Sequence, residues 1–176
     1  MTSESDSAPR ARPASRRDFV TAATAVAAAS AAVPASAQAQ AAPNVRHFNP
    51  SGMNQPMGYS QVVEVNGPHR LLFVAGQTGV DPSGKPARGF RAQIVQAYAN
   101  IRTALASAGG NMENVVRLTT YVTDIEQNAD IYREVRAATF TNKSALPAST
   151  LVQVTRLADP AYLVEIDAIA ILPPRA

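Results

Sequence analysis

Polar and apolar residues alternate from Tyr59 to Asn66, with Val63 and Val65 opposite Val62 and Glu64, a period of two that predicts a strand. Gly67-Pro68 breaks this run. Leu71-Leu72-Phe73-Val74-Ala75 follows as a short apolar strand, and so tight a connection predicts a hairpin. Asp81 to Pro86 has the composition of a turn. The period then lengthens. Phe90, Ile94, Ala97, Tyr98, Ile101 and Leu105 recur at spacings of three and four, which predicts a helix ended by Gly109-Gly110. Val115 to Thr123 is rich in Val, Thr and Tyr and returns to strand character. Asp124 with Gln127 three residues on resembles a capping box, and Ile131, Val135 and Ala138 form one helical stripe behind it. Pro147 closes that stretch. Two further strands, Thr150 to Arg156 and Leu163 to Leu172, flank a turn at Ala158-Asp159-Pro160.

The predicted order is therefore β-β-α-β-α-β-β, an α+β domain with one mixed sheet and both helices on one face. The other face carries Leu163, Glu165, Asp167, Ile169 and Ile171 from the last strand, because alternate residues share a face. A half-apolar face that no helix remains to cover argues for self-association.

None of these periods extends into the first forty residues, which read as an address. Ser15-Arg16-Arg17-Asp18-Phe19-Val20 pairs two arginines ahead of a large apolar residue, as a twin-arginine export signal does. An Ala/Val-rich run from Thr21 to Val33 follows, too short and too weakly apolar for a membrane span of about 20 residues. Ala35-Ser36-Ala37 then supplies a small-x-small cleavage pattern, with Ala37-Gln38-Ala39 and Ala39-Gln40-Ala41 as alternatives. Residues 1–41 are thus expected to be a twin-arginine signal peptide with its cleavage region, and residues 42–176 the domain. The expected location is the periplasm or another exported site, with membrane contact only during export.

Composition narrows the chemistry. The chain of 176 residues is 46% hydrophobic and has no cysteine, which removes disulfides, thiolate metal sites and cysteine nucleophiles together. The net charge of +3 contains four arginines and three acids from the first twenty residues. Subtracting them leaves 12 basic and 10 acidic residues, scattered and without the basic run a nucleic-acid binder needs. Gly79 to Lys85 matches most of a phosphate-binding loop, but Pro86 stands where Ser or Thr must hold Mg²⁺ and open a helix, so a turn is expected. His47 and His69 have no convergent ligand or carboxylate at useful spacing. Glu165 and Asp167 are more informative. Two acids on one face of an apolar strand are costly unless paired or exposed, and are candidates for proton transfer.

Several fragments in order resemble the Rid (reactive intermediate deaminase, YjgF-like) family across nearly all of residues 42–176. They include Met57-Gly58-Tyr59-Ser60-Gln61, Ala75-Gly76-Gln77, Ala108-Gly109-Gly110 and Val116 to Val122. The strongest are Leu146-Pro147-Ala148-Ser149-Thr150-Leu151-Val152 and Val164-Glu165-Ile166-Asp167-Ala168-Ile169-Ala170. The resemblance implies a chorismate-mutase-like fold and a homotrimer with sheets facing inward. It also implies three small-molecule pockets at subunit interfaces and hydrolysis of 2-imino acids and their enamine tautomers without a cofactor. Residue by residue, Glu165 falls on the family's water-positioning glutamate and Tyr59 on the tyrosine of its first strand. Gly76 falls on the pocket glycine and Thr150 on the hydroxyl beside the anchoring position. Ser149 departs from the pattern, since the deaminase branch has there an arginine that binds the substrate carboxylate. Arg117, Arg136 and Arg156 are the candidates to replace it.

Three functions are expected in descending order. The first is a hydrolase of imines or enamines, with Glu165 catalytic and Tyr59, Gly76, Ser149 and Thr150 shaping the substrate site. The second is a non-catalytic trimer that binds small metabolites, and the third a structural or interaction module. No metal, cofactor or nucleic-acid partner is expected.

Overall fold

The computed structural model describes residues 42–175, and the expected export signal at residues 1–41 lies outside them. The elements are β1 (Asn44–Phe48), β2 (Val62–Asn66), β3 (Arg70–Thr78), α1 (Phe90–Ser107), β4 (Val115–Val122), α2 (Ile125–Thr139), β5 (Ala148–Gln153) and β6 (Val164–Leu172), with a single 3₁₀ turn at Met112–Asn114. The α+β class and the two helices are as the sequence predicts.

Two corrections concern the front of the chain. An unforeseen strand, β1, pairs antiparallel with β2, with Val45 opposite Val65 and Arg46 bridged to Glu64. The expected hairpin of β2 with β3 does not form. β3 instead pairs antiparallel with β6, the two strands running Arg70 opposite Leu172 to Thr78 opposite Glu165. The sheet is thus divided into β1-β2 and β3-β6-β4-β5. β1 (NVRHF) carries too few apolar residues to show a period, and Gly67, at φ +89°, turns the chain between two strands that each find a better partner.

The four-stranded sheet is mixed: β6 lies antiparallel between β3 and β4, and β4 pairs parallel with the edge strand β5. β6 alternates strictly through its first half, burying Val164, Ile166 and Ala168 while Glu165, Asp167 and Ile169 stay half-exposed. The buried set packs against Ile94, Tyr98, Ile101 and Leu105 of α1 and forms one core with Leu118 and Val122 of β4. Each fully buried aliphatic side chain there contributes about 1.5–3 kcal/mol. Leu163 and Ile171 were expected on the uncovered face. Leu163 precedes the strand and packs against the core, and Ile171 is buried.

The helix ends explain why the periodic segments stop where they do. Gly109, at φ +82°, closes α1: its N–H donates to the Ala106 carbonyl (3.0 Å), and that of Gly110 to Leu105 (2.9 Å). This is the paired bond of a glycine-terminated helix. Asp124 caps α2 by accepting the Gln127 N–H at 2.9 Å. The stripe that α2 buries is Asn128, Tyr132, Val135 and Arg136, and Ala138, expected in it, is exposed.

The Gly79 to Pro86 segment is the turn the sequence predicts. Asp81 accepts the N–H of Ser83 (2.8 Å) and of Lys85 (3.0 Å), and Val80 bridges to Pro86. These bonds hold the Asp81 carboxyl below its usual pKa, the Ser83 side chain contributing most. Gly79 is required because a Cβ there would overlap Gln93. Gln93 is buried with its amide fully used, donating to Ala87 (3.1 Å) and Ala161 (2.7 Å) and accepting from the Leu163 N–H (2.8 Å).

Candidate functional site

The expected site residues lie on two sides of the sheet. In β5 the side chains alternate, so Ser149 and Leu151 point toward α2 while Thr150 and Val152 point to the uncovered face. The two positions at which the family motif is read are therefore neighbours in sequence and opposite in space.

On the helix side, a cavity of about 420 Å³ opens between α2, β5 and the segment before β2. That volume is within the range of small-molecule sites. Tyr59 and Ser149 line it together with Gly58, Tyr132, Arg136 and Phe140. Arg136 is only 6% exposed, and its Nη1 donates to the Gly58 carbonyl. Its Nη2 is buried without a partner, and its guanidinium lies 5.3 Å from the centre of the Phe140 ring. Tyr98 stands edge-on to Phe140 at 5.9 Å, with its own hydroxyl unpartnered. Burial raises the Tyr98 pKa above the ordinary phenol value, so it stays neutral. Ser60 and His47 fasten the same region: the Ser60 hydroxyl donates to the Leu146 carbonyl at 2.7 Å, and His47 Nδ1 lies 2.8 Å from that oxygen.

On the uncovered face stand Glu165, Gly76 and Thr150. The pairing of β3 with β6 shifts between Val74 and Gln77, a bulge that contains Gly76. The Glu165 carboxylate lies where a Cβ on Gly76 would be. The absence of that atom is what lets the carboxylate lie against the strand. Thr150 accepts a hydrogen bond from Arg117 Nη2 at 2.8 Å. Leu71 and Phe73, 49% and 74% exposed, place apolar surface beside these groups.

The three candidate cations separate accordingly. Arg117 accompanies Thr150, Arg136 accompanies Ser149, and Arg156 donates to its neighbour's carbonyl at Leu157 (3.2 Å). Tyr132, Phe140 and Gly58 were missed as site residues. The spacing of Tyr132, Arg136 and Phe140, each four apart, puts an arginine between two aromatics on one helix face and was a readable signal. Among the described residues no group of three or more acids and histidines could hold a metal.

This α+β domain, with a cavity beside an edge strand and a carboxylate held against a glycine on the other face, has relatives among known proteins. The model of the endoribonuclease L-PSP family matches residues 52–172. A RutC family protein of Aquifex aeolicus is 40% identical over 104 residues, 58% of this chain and 80% of that protein. The 2-iminobutanoate/2-iminopropanoate deaminase of Bos taurus is 34% identical over 121 residues, 66% of this chain and 81% of that protein. The crystal structure of the Rid family protein YyfB from Yersinia pestis superimposes with a TM-score of 0.67 at 33% identity, covering 73% of this chain and 99% of that one. The chain belongs to the endoribonuclease L-PSP, or YjgF/Rid, family.

Proposed function

We propose that the protein is a cofactor-independent hydrolase of imines and their enamine tautomers, working as a homotrimer with its sites at subunit boundaries. The observation that carries this reading is the half-exposed Glu165 carboxylate laid against Gly76 on the face away from the two described helices. Glu165 holds a water and accepts its proton as the oxygen adds to the imine carbon. That proton is returned to nitrogen, and the tetrahedral adduct then collapses as its hydroxyl proton also passes to nitrogen. The C–N bond breaks, ammonia leaves and a carbonyl compound remains. A 2-imino acid plus water thus gives a 2-oxo acid plus ammonia. The 34% identity to the bovine deaminase supports this class of substrate.

Within one chain Ser149 and Tyr59 lie on the helix side, whereas Glu165, Gly76 and Thr150 lie on the uncovered side. A single site with all five needs two subunits: one offers its β5 edge and the cavity beside it, the other the open face around Glu165. Exposed Phe73 and Leu71 supply the apolar surface for that contact.

The test is ammonia release from freshly generated 2-imino acids by the protein without residues 1–41. Turnover is expected, and Glu165→Gln, which keeps the shape but not the base, should lower kcat by about a hundredfold or more. Unchanged turnover in that variant would refute the role of Glu165. The second reading, a metabolite-binding trimer without catalysis, is favoured by Ser149 at the position of the family's arginine. It predicts saturable binding and no ammonia from the native protein.

We also propose export by the twin-arginine route, from the paired Arg16-Arg17 ahead of an apolar run. Replacing both by lysine should leave the protein in the cytoplasmic fraction of a cell fractionation. Continued export would refute this route.

A further inference from the structure

The cavity beside β5 contains a buried positive charge that the described chain does not neutralise. Arg136 takes no part in the ion pairs formed among the described residues, which are Arg46–Glu64, Arg91–Glu134 and Arg133–Asp130. Its contacts are one carbonyl and one aromatic face, and its Nη2 donates to nothing. Leaving a charged donor buried without an acceptor costs more than an exposed one, so the site favours an anion that supplies the acceptor.

The rest of the lining agrees in sign and in shape. No acid is among the lining residues, and Arg133 and Lys143 add positive charge. Arg133 is already paired with Asp130 at 2.7 Å, and the Lys143 ammonium donates to the Phe140 carbonyl at 3.2 Å. Arg136 is the cation of the three whose spare donor is buried without an acceptor. Around it the wall is apolar, made by Leu146, Leu151, Phe140 and the ring of Tyr132. A cavity of about 420 Å³ is larger than a three- or four-carbon acid fills.

We infer that this cavity binds a monocarboxylate with an apolar body, the carboxylate held by Arg136 and the body packed between α2 and β5. Nη2 is buried in the unliganded arrangement, so the carboxylate displaces the Gly58 carbonyl from Nη1 and draws the guanidinium into the cavity, which brings Nη2 into the two-point contact for which a guanidinium is shaped. The Ser149 hydroxyl is a further donor from the wall. The inference deepens the proposed reaction, because it moves the substrate anchor from β5, where Ser149 has no charge, to α2. It rests on that reading only for the reaction and not for the binding.

The test is titration calorimetry of the native protein with 3-phenylpropanoate and with its uncharged amide, 3-phenylpropanamide. The acid should bind tighter than the amide by about 30-fold, the loss expected when one charge-assisted contact is removed. Arg136→Met should bind the two alike, and Lys143→Met should keep most of the preference. Should Arg136→Met fail to fold, Arg136→Lys retains the charge without the fork and should bind the acid with intermediate affinity. A native protein that does not distinguish acid from amide overturns the inference. So does a preference that survives in Arg136→Met, or in its place a native affinity in Arg136→Lys, and so does a preference that disappears with Lys143. Glu165→Gln should still prefer the acid to the amide. A native protein that binds the acid but releases no ammonia from 2-imino acids would fault the reaction and leave the binding site standing.

Discussion

Strands β3, β4 and β6 each present one face to the helices and one away from them, and the two faces differ in kind. Toward α1 and α2 they offer Leu118, Val122, Val164, Ile166 and Ala168, all close to fully buried. Away from them the same strands offer Phe73, Arg117, Glu165 and Asp167, none of which is buried. The first face is closed by the chain's own helices and holds the fold together. The second mixes charge with apolar surface and is the face to which the proposed subunit contact is assigned.

The largest expected effect separates the two directly. Ile166→Ala removes a side chain from a closed core and should cost about 2–5 kcal/mol of stability. Phe73→Ala removes a larger side chain that is 74% exposed, so it should change subunit stability by no more than about 0.5 kcal/mol while weakening assembly. Urea denaturation read beside sedimentation velocity separates these outcomes. If Phe73→Ala destabilised the subunit as Ile166→Ala does and left its mass unchanged, the open face would belong to the core.

A smaller effect lies at the bulge. Gly76→Ala places a methyl group where the Glu165 carboxylate lies. Either the carboxylate turns away or β3 shifts, at a cost of about 1–3 kcal/mol. Turnover should fall toward the level of Glu165→Gln while the protein remains folded by circular dichroism. Native turnover in Gly76→Ala would show that the carboxylate does not work from this position.

Most of the helix-covered face was legible in the sequence, because burial on one side imposes a period. The α1 stripe from Phe90 to Leu105 matches the buried residues of that helix, with only Gln93 added. Gln93 escaped because a buried amide has no hydrophobic signature, and its worth lies in three hydrogen bonds to distant backbone. β1 escaped for a related reason: its pairing with β2 uses backbone groups and an exposed Arg46–Glu64 bridge. The site was legible as residue types but not as a place. A motif read along β5 cannot show that Ser149 and Thr150 point opposite ways until the strand's neighbours are fixed. Arg136 was named as a candidate cation, yet its burial beneath Gly58 depends on a contact across 78 residues.

The smallest expected effect sharpens the contrast from the outside of the helix layer. Arg91 on α1 and Glu134 on α2 form a two-point pair at 2.8 and 2.6 Å, fully in solvent. The Arg91 hydrogen bond, and then its charge, lower the Glu134 pKa from its ordinary 4.5. A carboxyl whose pKa is lower folded than unfolded adds stability that is present above the unfolded value and lost as pH falls through the folded one. At neutral pH the native protein should therefore melt slightly higher than Glu134→Gln, with the gap closing below pH 4.5. Salt should narrow it too, since solvent screens an exposed pair. Arg91 itself is shifted upward by the same contact, far above this range, and stays charged throughout. A gap that persisted undiminished at acid pH and high salt would mean that Glu134 acts through packing between α1 and α2. The helix layer would then owe part of its closure to its outer surface, and the division between a face built for stability and a face built for encounter would be less sharp than the core alone suggests.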